Sequence, residues 1–496
     1  MTTALIIGGG IAGPATAIGL HKAGINVAVY EAYPPAAAGD AVGAFLTIAA
    51  NGQDALQAID VLDPVLGASF PAHRLRMSDP AGTTLADITL GSDHPCPQSI
   101  TRAALSQVLR EETIGRGIPV GYGKRLISAT SQDGQVTANF DDGTSVSADV
   151  IIGADGIHSA VRAIIDPSSP QPRYTGLTIA CGYASRTAVK PCADGYHMIF
   201  GARAFFGYTT APDSRTWWFA RIPGPELTPA DIAASPGHWQ QALAGAFADD
   251  NSPAADIIAA SDEPITITGA YDIPTLPVWR NEEMVVIGDA AHAASPSTAQ
   301  GASMAIEDSV ILAQCLRDHE RTADGLHAYE ELRRERVERV VQSGASGENP
   351  GPPTPGPRRP DSGWLLKHHI NWDTDVRVQV GTIAGSLRHG TLKMVPGPRC
   401  YRSVAWRHTA GSLPAALSAA SMSASVTLRR LSKSSHSGMS SGLPKGRAQV
   451  LIGRCGRSVW LCFACLMISA QAKSESSGSS ARASLLRYSA AAKSLH

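Results

Sequence analysis

The first thirty residues alternate between short apolar runs and a glycine-rich turn, a pattern that predicts a strand, a helix and a second strand. Residues 4–7 are apolar throughout, as in a parallel strand buried on both faces. After the turn, apolar positions at helical spacing predict a helix over about 14–23, which Gly24 ends. Residues 26–30 are β-prone and close on Glu31. The chain therefore opens with a βαβ unit.

The middle of the chain continues with a helix and then with strands of two kinds. A helix is predicted to begin near Thr101. Residues 136–140 and 145–150 form paired strands around an Asp-Gly turn, and 150–152 is another buried strand. From about 174 to 272 the runs become aromatic and β-prone. This change in composition predicts an antiparallel sheet inserted within the first domain.

The last regular elements lie between 284 and 376. Residues 284–287 predict a final parallel strand, and an apolar stripe at helical spacing follows it from Ala302 to Leu316. A second amphipathic helix is predicted over about 325–341. Residues 344–362 are rich in Gly and Pro, which indicates a linker or a disrupted segment. Residues 363–376 regain a globular composition.

Charge divides the chain into two unlike parts. Its 496 residues carry a net charge of −1, yet residues 377–496 contain one acidic residue, Glu475, against 17 Lys and Arg. This tail could bind nucleic acid or an anionic membrane, but its few aromatic residues do not interleave with the basic ones. The favoured alternative is translation of a GC-rich gene in a wrong frame. We predict a mostly disordered tail and no nucleic-acid partner.

The cysteines and the apolar runs predict a reducing location. Eight cysteines are scattered over the chain, unlike a disulfide framework. The N-terminal run lacks a basic flank, and the longest apolar stretch of the tail, 459–470, is shorter than the roughly 20 residues that span a bilayer. Cys462 and Cys465 have metal-ligand spacing without enough nearby partners for zinc. We predict a cytoplasmic protein with no membrane span and no metal.

The first glycine motif has the spacing of a dinucleotide-binding turn. Gly8 permits the tight turn, Gly10 lets a pyrophosphate approach the backbone, and Gly13 allows close packing of helix on strand. The helix N-terminus then offers N–H groups and partial positive charge to the phosphates. Glu31, 23 residues after Gly8, is placed to accept hydrogen bonds from ribose hydroxyls.

Two further motifs follow buried strands later in the chain. Asp155 and Gly156 come after the strand 150–152, where the carboxylate suits hydrogen bonds to a ribityl chain or a pyrophosphate, and Arg162 could anchor the loop. Gly288 and Asp289 end the last strand. The loop after them feeds a helix whose N-terminus can point at the pyrimidine edge of a flavin. His292 is more readily explained as structural than as a catalytic base.

Together these motifs resemble the single-component, FAD-dependent aromatic hydroxylase family, the p-hydroxybenzoate hydroxylase type of flavoprotein monooxygenase. The resemblance covers roughly residues 1–345. It implies that Arg102 contacts the FAD pyrophosphate region, that Asp155 supports FAD and NADPH, and that Asp289 holds the ribityl chain. The matching third stretch extends through Gly301 and Ala302, although Thr298 and Ala299 replace two glycines common in the family.

The resemblance also implies the fold and the reaction. The fold is α/β, with a glutathione-reductase-like, Rossmann-type FAD-binding domain interrupted by an antiparallel-sheet substrate domain. NADPH or NADH reduces the flavin transiently, O2 forms a C4a-hydroperoxide, and one oxygen atom passes to an aromatic or polyketide-like small molecule. No protein residue is expected to act as a nucleophile. The domains expected are FAD-binding at 1–75, 96–172 and 275–343, substrate at 76–95 and 173–274, a linker and C-terminal element at 344–376, and a basic low-complexity tail at 377–496.

Three alternatives remain at this stage. A flavin-dependent reductase would use the same scaffold. A halogenase is suggested faintly by residues 218–223, which echo the Trp-x-Trp-x-Ile-Pro signature with Ala220 in place of the second Trp. The third alternative is an inactive flavin-binding product whose C-terminus is frameshifted. Aromatic residues that could line a substrate pocket are Phe205, Phe206, Tyr208, Trp217, Trp218 and Phe219.

Overall fold

The computed structural model describes residues 2–34, 45–185, 195–232, 236–262, 264–345 and 363–378. The predicted linker over 344–362 lies almost wholly outside these residues, as does the basic tail, so neither expectation is tested.

The described residues form eighteen strands and twelve α-helices. The strands are β1 (Thr3–Ile7), β2 (Asn26–Glu31), β3 (Phe45–Ile48), β4 (Phe70–Pro71), β5 (Arg74–Ser78), β6 (Thr84–Thr89), β7 (Gln98–Thr101), β8 (Val120–Tyr122), β9 (Leu126–Gln132), β10 (Gln135–Phe140), β11 (Ser145–Ala148), β12 (Val150–Gly153), β13 (Arg173–Ala184), β14 (Gly195–Phe200), β15 (Phe205–Thr210), β16 (Thr216–Pro223), β17 (Thr266–Asp272) and β18 (Met284–Val286). The helices are α1 (Ala12–Lys22), α2 (Ala50–Ala58), α3 (Leu62–Gly67), α4 (Arg102–Gly115), α5 (Ala160–Ile165), α6 (Pro229–Ile232), α7 (Pro236–Ala246), α8 (Ala254–Ala259), α9 (Asp289–His292), α10 (Gly301–Asp318), α11 (Thr322–Ala345) and α12 (Gly363–Leu366).

A five-stranded parallel sheet forms the centre of the first layer. Its strand order is β18-β12-β1-β2-β8. The predicted opening βαβ unit is β1-α1-β2, with the helix beginning at Ala12 rather than near Pro14. The later strands expected at 150–152 and 284–287 join the same sheet on the other side of β1. Because parallel strands end at one edge, the loops after β1, β12 and β18 are brought together.

Helix α1 packs against α10, and small residues make the approach close. A Cβ atom at Gly19 would lie 3.1 Å from the Cβ of Ala313. Thr16 Oγ1 donates a hydrogen bond of 2.9 Å to Ser309 Oγ across the same interface. The apolar stripe on α10 is accordingly buried from Ser303 to Leu316. Among the described helices, none has both the length and the apolar character needed to cross a bilayer.

The second layer is a seven-stranded sheet with the order β17-β13-β16-β15-β14-β5-β6. The sheet is antiparallel as predicted except for one pair, β14 with β5, which run parallel. The sequence prediction missed this pair because β5 and β14 are separated by more than a hundred residues and no local pattern records their pairing. One face of the sheet is covered by Leu243 of α7, by Phe247 directly after α7 and by Ile257 of α8.

The C-terminal element beyond residue 362 is packed against the first layer. Ile370 and Val376 are buried in its core, and Trp364 and Trp372 pack against it. Arg317 Nη1 donates a 2.6 Å hydrogen bond to the carbonyl of Trp372. Residues 363–376 are therefore an integral part of the folded chain, as their composition predicted.

Candidate active site

The first glycine loop is tightly packed at two positions and open at the third. Gly8 has φ +112°, and a Cβ atom there would lie 2.4 Å from the carbonyl oxygen of Ala154. A Cβ at Gly13 would lie 1.9 Å from the carbonyl oxygen of Gly8. At Gly10, in contrast, no described atom comes within 4 Å of the Cβ position. The backbone at Gly10 is therefore accessible to a ligand.

Glu31 at the end of β2 holds this loop in place. Its Oε2 accepts a 2.6 Å hydrogen bond from the backbone N–H of Gly9, and its Oε1 accepts a 2.9 Å bond from that of Tyr33. The carboxylate is buried, and each oxygen has a further lone pair for a hydroxyl donor. Glu31 therefore lies beside the glycine loop, where the sequence analysis predicted a carboxylate able to accept hydrogen bonds from ribose hydroxyls.

The second loop lies directly against the first. The backbone N–H of Ala154 donates a 2.8 Å hydrogen bond to the carbonyl of Ile7. Asp155 Oδ2 caps α5 by accepting hydrogen bonds from the N–H groups of Ala160 and Val161, whereas its buried Oδ1 has no partner among the described residues. Burial raises the pKa of Asp155 despite these bonds. An unpaired buried oxygen of this kind calls for a ligand or water.

Gly156 and Gly288 give the second and third loops their shape. Gly156 has φ +75°, and Gly288 has φ +55°. A Cβ at Gly288 would lie 3.4 Å from the Cβ of Ala12, at the start of α1. The third loop therefore approaches the first, and the three glycine motifs converge at one edge of the parallel sheet.

Asp289 and the start of α10 adjoin each other beyond this edge. The side chain of Asp289 is exposed, and a Cβ at Gly301 would lie 3.9 Å from its Oδ1. Ala302 follows in the first turn of α10, half-buried against the core. The eighteen-residue helix α10 directs its N-terminus, with its partial positive charge, toward this point.

Arg102 was also predicted to belong to the site, but no contact of its side chain with the three glycine loops is found among the described residues. It is the first residue of α4, whose cap is Thr101, and its side chain is exposed. Helix α4 packs against α1, which places Arg102 on the same layer as the first glycine loop. Its role toward a cofactor stays a prediction.

Arg162 anchors the second loop, as its position in the sequence suggested, and it also links that loop to the third. Its guanidinium is buried and donates hydrogen bonds of 3.0 Å to the carbonyl of Ala290 and 2.7 Å to that of Ile157. The bridge fixes the spacing of the loops that carry Asp155 and Asp289.

A buried ionic cluster beneath Gly288 was not predicted. Asp308 Oδ2 accepts hydrogen bonds from the Gly288 N–H at 2.9 Å and from His292 Nε2 at 2.5 Å, and its Oδ1 accepts one from Arg333 at 2.7 Å. Arg333 also donates to Glu307 at 2.6 Å. These contacts support a structural role for His292. The sequence feature that could have predicted this cluster is the pair of adjacent acids, Glu307 and Asp308, in the otherwise apolar stripe of α10.

The aromatic strands of the second sheet divide their side chains between two environments. Phe206, Tyr208 and Trp218 belong to the core under α7 and α8. The opposite face carries Trp217 and Phe219, whose rings lie 5.9 Å and 5.8 Å from that of Phe45 on β3. Only this second group contacts β3, which pairs with β7 in a separate three-stranded sheet of order β3-β7-β4.

Strand β3 connects that aromatic face with the start of α10. Thr47 and Tyr196 share a 2.9 Å hydrogen bond between their hydroxyls, which joins β3 to the second sheet. The backbone N–H of Ala49, immediately after β3, donates to Ser303 Oγ in the first turn of α10 at 3.2 Å. The converging loops, the N-terminus of α10 and the aromatic face therefore border one region.

Comparison with known proteins gives this arrangement a family. The family model described as "FAD binding domain" matches residues 1–344. FAD-dependent urate hydroxylase of Klebsiella pneumoniae is 29% identical over 346 residues, covering 68% of this chain and 87% of the relative. The 3-amino-4-hydroxybenzoate 2-monooxygenase of Streptomyces platensis is 33% identical over 347 residues, covering 68% and 85%.

Solved structures agree with the sequence relatives. A single-substitution variant of HpxO from Klebsiella pneumoniae, crystallised with FAD, is 25% identical with a TM-score of 0.64, over 79% of this chain and 100% of that one. Space at Gly10, an unpaired Asp155 oxygen and the convergence of three loops all fit an FAD molecule at this edge. The chain belongs to the FAD-binding domain family and is an FAD-dependent monooxygenase.

Proposed function

We propose that the enzyme hydroxylates a small aromatic molecule with NADPH or NADH as transient reductant and O2 as oxidant. The observation that carries the proposal is the convergence of the three glycine loops beside the aromatic face formed by Phe45, Trp217 and Phe219. The relatives named above act, by their names, on urate and on an aminohydroxybenzoate. A ring of similar size, including a phenol or a polyketide-derived ring, fits a wall built from aromatic side chains.

The adenosine and pyrophosphate half of FAD is assigned to the first two loops. Gly8 and Gly13 close the turn, and the open backbone at Gly10 with the N-terminus of α1 receives the phosphates. Glu31 accepts the ribose hydroxyls. The unpaired Oδ1 of Asp155 accepts a hydrogen bond from a hydroxyl of the cofactor. Gly156, with its positive φ, forms the turn that orients the Asp155 loop.

The flavin half is assigned to the third loop. Gly288 shapes the turn, Asp289 accepts ribityl hydroxyls, and Gly301 with Ala302 opens α10 toward the pyrimidine edge. Partial positive charge at that N-terminus favours negative charge on the reduced ring. Bound FAD supplies the redox and oxygen chemistry. The chain positions the substrate ring and excludes water, so we assign no side chain a covalent step.

Oxygen labelling tests the reaction directly. Purified enzyme supplied with FAD, NADPH or NADH and ¹⁸O2 is screened against phenols, aromatic acids and polyketides. A monooxygenase incorporates one labelled atom into product for each hydroxylation. NAD(P)H oxidation with no label in any product identifies a reductase instead, and a halogenated product formed only with halide identifies a halogenase.

Replacement of Arg102 tests its assignment to the pyrophosphate region. Arg102→Ala is expected to weaken FAD affinity by roughly three- to tenfold, because one exposed charged hydrogen bond to phosphate is lost. The melting temperature of the apoprotein should not change, since Arg102 is exposed and has no partner among the described residues. FAD titration of the apoprotein measures the change. Arg116→Ala, the same loss of charge at the other end of α4, is the control, and equal affinities for both variants would contradict the assignment.

A cytoplasmic location is proposed from the cysteines. Cys96, Cys181 and Cys315 are free thiols in the described chain. Burial raises the pKa of Cys181 to about 12, which keeps that thiol unreactive. Free thiols of this kind are typical of a reducing compartment.

A further inference from the structure

The start of α10 is joined to α2 by a buried pair of amide side chains. Asn51, in the first turn of α2, is 1% exposed, and Gln300, directly before α10, is 5% exposed. Asn51 Nδ2 donates a 3.1 Å hydrogen bond to Gln300 Oε1. The same nitrogen donates a 2.7 Å bond to Oε1 of Glu307, which lies about two turns further along α10. Both hydrogens of the Asn51 amide are therefore used on one helix.

Glu307 decides which way the Asn51 amide faces. Its two oxygens also accept hydrogen bonds from Arg333 and Arg336. Burial raises the pKa of Glu307, but these two arginines outweigh burial and lower it below its usual value, so the group stays a carboxylate. A carboxylate can only accept hydrogen bonds, so Asn51 has to present Nδ2 to it rather than Oδ1.

The orientation of Asn51 then sets the orientation of Gln300. Because Asn51 presents a donor, Gln300 faces it with Oε1 and directs Nε2 away from it. Gln300 Nε2 has no hydrogen-bond partner among the described residues, and it is not sealed inside the protein as Asn51 Oδ1 is. Gln300 therefore has free N–H donors at the start of α10. We call the three side chains Glu307, Asn51 and Gln300 the amide relay.

The buried Oδ1 of Asn51 shows that the relay is kept at the expense of stability. This oxygen has no partner in the described part of the chain, and an unsatisfied buried acceptor is destabilising. Rotation of both amides would give it a partner in Gln300, but it would also place an oxygen of Asn51 against the carboxylate of Glu307. Retention of the less satisfied arrangement indicates that the donor end of Gln300 has a use.

The position of Gln300 identifies the acceptor. Gln300 precedes Gly301, where a Cβ atom would lie 3.9 Å from Asp289 Oδ1, at the helix start assigned above to the pyrimidine edge of the flavin. We propose that Asn51 is a positioning residue, which passes the orientation imposed by Glu307 to Gln300 so that Gln300 Nε2 donates to a carbonyl oxygen of the FAD pyrimidine ring. The inference rests on the proposed function and adds two residues to its flavin site.

A donor at this position favours reduced FAD over oxidised FAD, because reduction places negative charge on the pyrimidine ring. The reduction potential of bound FAD therefore tests Gln300 without any substrate. Gln300→Leu is expected to lower the relative affinity for reduced FAD by about tenfold, as the loss of one hydrogen bond to a charged acceptor would. That change makes the two-electron potential more negative by about 30 mV. Equilibration of the FAD-loaded enzyme with reference dyes measures it.

Replacement of Asn51 tests the relay itself. Asn51→Leu leaves the Gln300 amide without its fixed donor and should lower the potential by part of the same shift. Asn51→Ser keeps a donor for Glu307 but is too short to reach Gln300 as well, so it tests the same step if the leucine variant is unstable. The double variant Asn51→Leu/Gln300→Leu should have the potential of Gln300→Leu alone, because Asn51 acts through Gln300.

Gln314→Leu is the control for the loss of a buried amide. Gln314 lies on the same helix, about 21 Å along it from Gln300, and its Nε2 donates to the carbonyls of Asn371 and Trp372. Its removal should leave the potential of bound FAD at the wild-type value.

The potentials of these variants separate the possible outcomes. A wild-type potential in Gln300→Leu overturns the proposal, as does a wild-type potential in both Asn51 variants. A double variant shifted further than Gln300→Leu also overturns it, because Asn51 would then act on the flavin by another route. Failure of the purified wild-type chain to hold FAD overturns the proposed function instead. Shifts in the Asn51 and Gln300 variants that do not add together support the positioning role.

Discussion

Gly10→Ala is expected to leave the apoprotein folded while weakening its affinity for FAD by about ten- to a hundredfold. The new methyl group meets no described atom within 4 Å, so nothing in the described chain resists it. The same methyl group would occupy the space through which the pyrophosphate approaches the backbone. FAD titration followed by flavin fluorescence measures the affinity, and far-ultraviolet circular dichroism verifies the fold.

Two other glycine variants define the specificity of that result. Gly13→Ala places a methyl group 1.9 Å from the carbonyl oxygen of Gly8, so it should lower both stability and FAD affinity. Gly115→Ala, near the end of α4, also adds a methyl group where no described atom is close, and it should change neither property. Normal FAD affinity in Gly10→Ala would place the phosphates elsewhere.

The opening βαβ unit could be predicted from sequence because its determinants are local. The turn needs Gly8 at positive φ, the packing needs Gly13 without a side chain, and Glu31 follows at a fixed distance along the chain. The second and third loops were harder to interpret; the second, for example, contains the sequence Gly-Ala-Asp-Gly at residues 153–156, which alone is a common turn. Their order along the chain, taken with the first motif, supplied the information that each lacked alone.

Features that depend on distant pairings were not predictable in the same way. The parallel pairing of β14 with β5 joins segments separated by more than a hundred residues. Strand alternation states that Trp217 and Trp218 face opposite sides, but it does not say which side meets the first layer. The contact between Phe45 and Trp217 decides that question, and it depends on how the two layers pack.

A buried ionic cluster also depends on distant pairing and was not predictable from local sequence. It consists of Glu307, Asp308, Arg333 and Arg336. The two acids lie on α10 and the two arginines on α11, and all four are involved in ion pairs of 2.6–2.7 Å. Amphipathic patterns assign charged residues to the solvent side of a helix. These acids are instead buried, because α11 supplies two arginines that pair with them, Arg333 fully buried and Arg336 partly exposed.

Asp308→Asn is expected to destabilise the protein by about 3–5 kcal/mol, the usual effect of removing one partner from a buried ion pair. Arg333 would keep Glu307 but lose its second carboxylate, and His292 would lose its charged acceptor. Urea unfolding in the presence of excess FAD measures the change. Asp249→Asn, which removes the acid from an exposed pair with Arg203, should change stability by less than about 1 kcal/mol.

The pH dependence of this difference provides an independent test of the cluster. Burial raises the pKa of Asp308, but His292 and Arg333 outweigh burial and lower it from 3.8 to about 2. A carboxyl with a depressed pKa in the folded state stabilises the protein fully above its unfolded-state value and loses that contribution as pH falls through the folded-state value. The stability gap between wild type and Asp308→Asn should therefore be largest above about pH 4 and narrow toward pH 2. A gap that is constant across this range would mean that the charge of Asp308 is not the source of its contribution to the free energy of unfolding.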